Sequence, residues 1–404
     1  GRVFDLEKVH RIMIVGAGKA AAPMCRAVID ILHDHAQKIT GTIVVKYGHG
    51  DDLPGIEVVE AGHPFPDDNG VIAARSILAF LNETDEDDLV ISLFSGGGSA
   101  LLSLPTEGIT LHELGTLSGL LLACGASIDE MNAVRKHVSR VKGGLLARAA
   151  RPSPVINLLL SDVLGDRPDV IASGPFVPDT STFREARGVL ERYNLLERIP
   201  VSIGERINAG LSGTIEETPK SDDDAFARVS TTIAGSNGKA LNAAARQALI
   251  LGFSPLILST RIKGEAKELG LFLGAIAGEL RATGRPLVPP ACILLGGETT
   301  VRLSGTGKGG RSQECALAAV KEIAGLHDVV IFCAGTDGTD GPTDAAGAFC
   351  TGETLARGEK KGLSHHEYLT SHDSYHYFSK TGGLVITGPT GTNLMDIYMV
   401  LAGP

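Results

Sequence analysis

Short apolar runs that each end in a glycine-rich or acidic turn recur along this 404-residue sequence, and most precede a stretch with helical periodicity. This alternation is typical of repeated strand and helix units. The runs are continuously apolar, which predicts strands buried on both faces, as in parallel sheets covered by helices. The predicted strands are 12–15, 42–46, 58–61, 89–94, 155–160, 230–234, 254–259, 291–295, 329–334 and 383–387.

A polar stretch at 212–228 divides these runs into two series. It carries Pro219 and the acidic triplet 222–224, a composition that favours a linker. A chain of 404 residues exceeds the size at which one core keeps growing. We therefore predict two doubly wound α/β domains with mostly parallel sheets, over residues 1–225 and 226–404.

Composition excludes some partners and favours one compartment. The net charge is −10 and no basic stripe is visible, which argues against nucleic acid as a partner. No apolar run reaches the length of about 18 residues that a membrane span needs, so no membrane partner is expected. The six cysteines lie far apart and form no C-x-x-C pair, which favours a reducing cytoplasm.

The turn after the first predicted strand places a lysine where a helix should begin. A cation there opposes the helix dipole, so an anion held by Lys19 and the turn's backbone N–H groups is the expected compensation. Gly16, Gly18 and Ala21 also satisfy the loose dinucleotide fingerprint. The second strand ends at Lys46 rather than at an acidic residue, which disfavours NAD and leaves NADP open.

A triple-glycine turn follows the strand at 89–94. Three successive glycines and two hydroxyls before a helix predict a turn that binds phosphate or carboxylate. The sequence there does not match the P-loop pattern, so a P-loop NTPase is not expected. The turn comprises Ser95, Gly96, Gly97, Gly98 and Ser99.

Two aspartates follow the strand at 155–160. Asp162 and Asp166 are candidate Mg²⁺ ligands, and either one is also a candidate base for a substrate hydroxyl. Aspartates are common turn formers as well, and that alternative stays open at each position.

Further candidates lie in the second half. Glu298 follows the strand at 291–295, and a glycine-rich loop brings Lys308 and Arg311 to the start of a helix. Arg311 suits a two-pronged hydrogen bond to phosphate or carboxylate, whereas Lys308 is equally consistent with a solvated charge. The loop containing Asp337 and the turn at 387–393 are each consistent with a cation site or a self-capped turn.

The chain resembles the type-2 glycerate kinases, whose two parts are a glycerate-kinase-like N-terminal region and a MOFRL C-terminal region. The matching motifs occur in the same order along nearly the whole chain. They are Val15–Ala20, Gly62–Pro64, Ser95–Leu102, Ser161–Asp166, Ile171–Pro175, Glu217–Pro219, Gly296–Glu298, Gly310–Glu314, Thr336–Gly347 and Thr387–Asn393.

The resemblance implies a cytoplasmic kinase of carbohydrate metabolism that transfers phosphate from ATP, with Mg²⁺, to the 2-hydroxyl of D-glycerate. It also implies two Rossmann-like domains with the active site in the cleft between them, and Lys19 and Arg311 as the principal cations. D-Glycerate and ATP are then the small-molecule partners, and a homodimer is the assembly to be tested.

We hypothesise a role for each candidate in this reaction. Asp162 would orient or deprotonate the hydroxyl and Asp166 would hold Mg²⁺, with these two roles exchangeable. Gly16, Gly18 and the Ser95–Ser99 turn would bind anionic groups, and Glu298 and Asp337 complete the candidate substrate-binding set. The alternatives are an NADPH-dependent hydroxypyruvate reductase, with His63 as a candidate acid, and a non-catalytic sensor of sugar acids or nucleotides.

Overall fold

The computed structural model describes residues 3–404, so the first two residues of the predicted first domain lie outside the described chain. Two compact units are present, each built around one sheet. The first unit comprises residues 3–161 and 167–234, and the second comprises 162–166 and 235–404. No helix in the described residues is long and apolar enough to cross a membrane.

The first unit alternates strands and helices around a sheet of the order β3-β2-β1-β4-β5-β6. Its elements are β1 (Ile12–Ala17), α1 (Ala21–Ile31), β2 (Ile39–Lys46), β3 (Ile56–Ala61), α2 (Asp68–Asn82), β4 (Leu89–Phe94), α3 (Gly98–Leu101), α4 (Leu111–Ala123), α5 (Ile128–His137), α6 (Leu145–Ala149), β5 (Val155–Leu160), α7 (Phe183–Arg192), α8 (Val201–Leu211) and β6 (Val229–Gly235). Short 3₁₀ turns occupy His33–Lys38, Ile171–Ser173 and Asp224–Phe226.

Strand pairing in the first sheet agrees with the predicted parallel arrangement. The pairs β3–β2, β2–β1, β1–β4 and β4–β5 are all parallel. Residues of β1 and β4 are buried throughout, because helices cover the sheet. The strand order reverses between β1 and β4, and ligands of such sheets bind beyond the carboxyl ends of the strands at that point.

A helical lobe of the first unit has its own apolar core. Helices α4 and α5 each begin with a capping box, formed by Thr110 with Glu113 and by Ser127 with Glu130. Their buried faces pack against those of α7 and α8 in one apolar cluster, which includes Leu117. The sequence analysis did not predict this separate helical lobe.

The second unit contains a sheet of the order β11-β10-β9-β12-β8-β7. Its elements are α9 (Asn237–Ile250), β7 (Ser254–Ile262), α10 (Ala266–Thr283), β8 (Ala291–Gly297), α11 (Arg311–Glu322), β9 (Val329–Gly335), β10 (Gly347–Thr351), α12 (Thr354–Lys360), α13 (His365–Thr370), α14 (Ser374–Thr381), β11 (Leu384–Val385) and β12 (Asp396–Ala402).

Two of these strands run against the others, which the sequence analysis missed. β12 lies between β8 and β9 and is antiparallel to both, and β10 is antiparallel to β9. The strands β7, β8, β9 and β11 share one direction, so most of the strands are still codirectional. The start of β12, at Asp396, therefore lies at the same sheet edge as the ends of β8 and β9.

The division between the units also differs from the predicted one. The strand predicted at 230–234 as the first of the second series is instead β6, at the edge of the first sheet. The compact units consequently divide after Ala234 rather than after residue 225. Polar composition identified the connecting stretch, but strand pairing assigns it to the first unit.

Candidate active site

The turn after β1 packs closely against the end of β4, and its glycines leave no room for a side chain there. A Cβ on Gly16 would lie 2.2 Å from the carbonyl oxygen of Leu93, and a Cβ on Gly18 would lie 2.1 Å from Ser95 Oγ. The N–H of Gly18 donates to Val44 at 3.1 Å. These two glycines thus allow the ends of β1 and β4 to approach each other, and their predicted role in binding substrate or phosphate stays a prediction.

The other N–H groups of this turn are engaged as well. The N–H of Lys19 donates to the Gly96 carbonyl at 2.9 Å, and the N–H of Ala20 donates to Ser95 Oγ at 3.0 Å. The N–H groups of Gly18, Lys19 and Ala20 thus all donate within the protein, and anion binding at this turn stays a prediction. What the turn contributes to the sheet edge is the Lys19 side chain.

Lys19 lies beside the triple-glycine turn and a histidine. A Cβ on Gly97, whose φ is 85°, would lie 3.0 Å from His63 Cδ2 and 3.5 Å from Lys19 Cγ. Burial lowers the pKa of His63, and the charges of Lys19 and Lys46 lower it further. The lowered pKa favours a neutral His63 beside these two lysines.

Some residues of the triple-glycine turn are packed inside the protein, and others have backbone N–H groups that could bind a ligand. Ser95 is fully buried and its hydroxyl holds the Ala20 N–H, while Gly98 has no space for a Cβ because Ala17 and Ala172 lie within 3 Å of that point. The structure thus gives Ser95 and Gly98 packing roles. The N–H groups of the three residues Gly96, Gly97 and Ser99 have no hydrogen-bond partner among residues 3–404.

A segment with strained backbone, at residues 172–173, packs against this turn. Ala172 (φ 51°) and Ser173 (φ 61°) are left-handed, a conformation that costs non-glycine residues about 1–3 kcal/mol and concentrates at functional sites. The Ser173 hydroxyl lies 2.8 Å from Ser99 Oγ and donates to Asn132 Oδ1 at 3.0 Å. The segment thereby fixes the position of Ser99.

Two cations that the sequence analysis missed lie close to this turn. Lys142 is 4% exposed, and its Nζ donates to the carbonyl oxygens of Ser99 (2.6 Å) and Leu102 (3.0 Å). Burial, with a further contribution from the charge of Arg135, lowers the pKa of Lys142 to about 7. Arg135, on α5, has no hydrogen bond or ion pair with any described residue, and burial lowers its pKa.

Both cations line a pocket of about 360 Å³ together with His63, Gly97 and Ser99. Buried charges in proteins are normally paired, because desolvation of an unpaired ion is costly. A pocket with two cations and no carboxylate therefore suits an anion. The sequence signal was a lysine before the glycine pair 143–144 in an apolar stretch, and both of those glycines have positive φ.

In the second unit, Arg311 is the first residue of α11 and is held by carboxylates. Its Nε and Nη2 donate to Asp396 at 2.6 and 2.9 Å, and its Nη1 lies 2.7 Å from Glu298 Oε1. Burial opposes the charge of Arg311, but Asp396 and then Glu298 outweigh it and raise the pKa. Asp396 is 1% exposed and also accepts from the Tyr398 hydroxyl.

The aspartates after β9 have different surroundings. Asp340 is buried and accepts the N–H groups of Ser312 and Gln313, so it caps α11 and fixes Arg311 indirectly. Burial raises the pKa of Asp340 to about 6. Asp337 accepts from the N–H and hydroxyl of Thr339, as a turn-forming aspartate does.

The two aspartates after β5 lie in the segment 162–166, which belongs to the second unit although the strand before it belongs to the first. Asp162 Oδ2 is 3.5 Å from Asn393 Nδ2, so it meets the predicted turn at 387–393. Asp166 has a φ of 54°, and its N–H donates to Val163. Their roles as base and metal ligand stay predictions.

Within each unit, the structure thus brings several predicted residues together. Lys19, Gly97 and Ser99 gather in the first unit, and Arg311 and Glu298 form an ion pair in the second. The single cleft predicted from the resemblance stays a prediction.

Two families match the chain in sequence. Residues 1–208 match a domain of unknown function, DUF4147, and residues 291–396 match the MOFRL family. These two matches occupy the positions of the N-terminal and C-terminal regions that the motifs predicted.

Full-length relatives and solved structures agree with this assignment. The chain is 44% identical to a glycerate 2-kinase of Pyrococcus horikoshii, over 99% of this chain and 89% of the relative. It is 43% identical to the D-glycerate 2-kinase of Thermotoga maritima, over 97% and 91%. The crystal structure of glycerate kinase from Thermotoga maritima superimposes with a TM-score of 0.90, at 42% identity, and covers 98% of this chain and 92% of that one.

Nearly the whole chain also matches a protein of Agrobacterium vitis provisionally named hydroxypyruvate reductase, at 42% identity over 97% of this chain and 87% of the relative. The ordered motifs, the two α/β units and the glycerate kinase relatives over nearly the full length lead to one conclusion: the chain belongs to the type-2 glycerate kinase family.

Proposed function

We propose that this protein is a glycerate 2-kinase, which transfers the γ-phosphoryl group of ATP to the 2-hydroxyl of D-glycerate and releases 2-phosphoglycerate and ADP. The observation that carries the proposal is the 44% identity to a glycerate 2-kinase over 99% of the chain. The charges in the first unit are consistent with it, because both substrates are anions.

Phosphoryl transfer depends mainly on positioning and on electrostatic stabilisation of the phosphate oxygens. We assign Lys19 and Arg311 as the cations that carry out this stabilisation. Arg311 is already oriented by Asp396 and Glu298, which together engage three of its nitrogen atoms. Nη1 and Nη2 each carry a second N–H, which we assign to an oxygen atom of the substrate.

We assign Asp162 as the group that orients or deprotonates the 2-hydroxyl, and Asp166 as a ligand of Mg²⁺. The donor set fits this ion, since Mg²⁺ takes oxygen ligands and needs only one or two carboxylates when substrate phosphates complete its shell. The ion would neutralise charge on the phosphates. The proposal also allows the reverse assignment, in which Asp166 acts on the hydroxyl and Asp162 binds Mg²⁺.

The proposal includes a cytoplasmic location and a homodimeric assembly. All six cysteines are unpaired in the described chain, and five of them are buried, which is consistent with a reducing compartment. Cell fractionation tests the location, and light scattering of the purified protein tests the assembly.

Hydroxypyruvate reduction with NADPH is the second candidate, favoured by the provisional name of the Agrobacterium vitis relative. The packing of the first turn counts against it. A dinucleotide fingerprint needs its glycine turn open to the pyrophosphate, whereas Gly16 and Gly18 face Leu93 and Ser95.

One pair of assays separates the two candidates. The protein is incubated with D-glycerate, ATP and Mg²⁺, and separately with hydroxypyruvate and NADPH. We expect ADP and a product phosphorylated at C2, identified by ³¹P–¹H NMR, and no NADP⁺. Production of NADP⁺ without ADP would replace the kinase proposal with the reductase.

A further inference from the structure

The pocket beside the triple-glycine turn combines an apolar part with a cationic part. Its apolar side is formed by Pro64, Phe65 and Pro66, which follow β3, and by Leu122 of α4. Phe65 is 81% exposed and Leu122 is 63% exposed, so the mouth of the pocket presents apolar surface to solvent. Exposed apolar surface around a concave site is typical of ligand binding.

Helix α4 lines this pocket partly with small residues. Gly115, Ser118 and Gly119 line it, and nothing lies within 4 Å of a Cβ placed on either glycine. Glycine inside a helix is unfavourable relative to alanine, so two of them on one face need a reason. The missing side chains leave room for a planar group against the helix.

The cationic part of the pocket adjoins the candidate catalytic lysine. Arg135 and Lys142 line the pocket with Gly97 and Ser99, and Lys19 Cγ lies 3.5 Å from the position of a Cβ on Gly97. Among the described residues, none that lines this pocket carries a carboxylate. An occupant should therefore have an apolar, flat part and a strongly anionic part.

D-Glycerate does not meet this description, because each of its carbon atoms carries oxygen and none of it is flat and apolar. A nucleoside triphosphate does meet it. The volume of about 360 Å³ is also within the range of about 300–1,000 Å³ that small-molecule and cofactor sites occupy.

We propose that this pocket is the nucleotide site, with the adenine base between Phe65 and the glycine face of α4 and the phosphates directed to Arg135, Lys142 and the N–H groups of Gly97 and Ser99. The inference rests on the proposed kinase function for the identity of the nucleotide. It assigns the base to an apolar surface in the first unit and leaves Lys19 at the phosphate end.

The test fills the flat space and measures nucleotide binding directly. In Gly119→Leu, the new side chain occupies the position of the base, so the Kd for ADP, measured by calorimetry, should rise about tenfold or more. The KM for ATP should rise to a similar extent, and the KM for D-glycerate should stay within about twofold of the wild-type value.

Gly278→Leu is the matched control, because Gly278 is also a helical glycine with nothing within 4 Å of its Cβ position, and it lies on α10. It should leave the Kd for ADP unchanged. Phe65→Ala provides a second variant if Gly119→Leu fails to fold, and it should also weaken ADP binding.

The outcomes distinguish this inference from the proposed function. Binding of ADP that weakens in Gly119→Leu supports the pocket even if D-glycerate is not phosphorylated. Unchanged ADP binding in both Gly119→Leu and Phe65→Ala overturns the pocket even if the enzyme is a glycerate kinase. A raised KM for D-glycerate with unchanged ADP binding would assign the pocket to the acceptor instead.

Discussion

The cations of the two units have different surroundings. In the first unit, Lys142 donates to two backbone carbonyl oxygens, and neither Lys142 nor Arg135 has a carboxylate partner among the described residues. In the second unit, Arg311 has two carboxylate partners, one of them buried. Both edges have glycine-rich loops, so glycine content alone did not reveal this difference.

The difference indicates a division of labour. Cations without a carboxylate partner in a pocket attract anionic ligands, whereas an arginine held by two carboxylates is fixed in one orientation. We therefore associate the first unit with anion binding and the second with a fixed arginine and the carboxylates around it. The following predictions test that contrast, in order of decreasing effect.

Removal of the candidate catalytic cations should have the largest effect. Lys19→Met and Arg311→Met should each lower kcat/KM by about 10³ or more, because each removes charge that stabilises the transferring phosphoryl group. ADP release measures the activity, and circular dichroism with thermal unfolding verifies the fold. Lys321→Met, on the exposed end of α11, is the control; wild-type turnover in either test variant would refute its assignment.

Removal of the buried partner of Arg311 should affect both stability and activity. Asp396→Asn breaks a buried ion pair, which typically costs about 3–5 kcal/mol of stability when one partner is lost. We expect kcat to fall by about 10²-fold, since Arg311 loses its orientation. Denaturant unfolding and steady-state kinetics measure the two effects. Asp344→Asn, an exposed aspartate that accepts from Tyr375, is the control; equal stability of both variants would contradict the ion pair's role.

The unpaired cation of the first unit should make stability depend on pH. The pKa of Lys142 is lowered to about 7 in the folded protein and is about 10.4 in an unfolded chain. Between these values the unfolded state binds more protons, so the free energy of unfolding rises with pH, by at most about 1.4 kcal/mol per pH unit.

Comparison with Lys142→Met isolates this contribution. Denaturant unfolding at pH 7, 8 and 9 should show wild type gaining stability relative to the variant as the pH rises. ADP at saturating concentration should flatten the trend, because a bound anion favours the protonated lysine. A difference between wild type and variant that is constant over this range would show that Lys142 does not titrate there.

The smallest effect is expected at the buried hydroxyl of the triple-glycine turn. Ser95→Ala leaves the Ala20 N–H without an acceptor and should lower stability by about 1–3 kcal/mol, whereas kcat/KM should change little. Ser99→Ala alters a hydroxyl that lines the pocket and should raise the KM for ATP. A larger effect of Ser95→Ala on KM would restore Ser95 as a substrate-binding residue.

Local sequence patterns predicted the elements with continuous apolar character. The predicted strands at 89–94 and 155–160 agree with β4 and β5 to the residue. The strands β10 and β12 were missed. β10 is short and begins with glycine, and β12 alternates between buried and half-buried residues because its two sides differ in cover.

The difference between local patterns and long-range contacts also explains which site residues the sequence predicted. Lys19, Ser99 and Arg311 were identified because a glycine turn after a strand marks the functional edge of an α/β sheet. Asp396 was not identified because its strand was missed. Arg135 and Lys142 were not identified because they lie on a helix and in a loop far from any strand end in sequence.

By itself the sequence determined the α/β class, the two-part organisation, the family and the turns that carry candidate residues, because these depend on local periodicity and on motif order. Only the tertiary structure decided which backbone groups remain available. It showed that Gly16 and Gly18 pack against Leu93 and Ser95, that Asp396 holds Arg311, and that Lys142 has no carboxylate partner among residues 3–404. Each of these depends on contacts between segments distant in sequence, which local patterns do not encode.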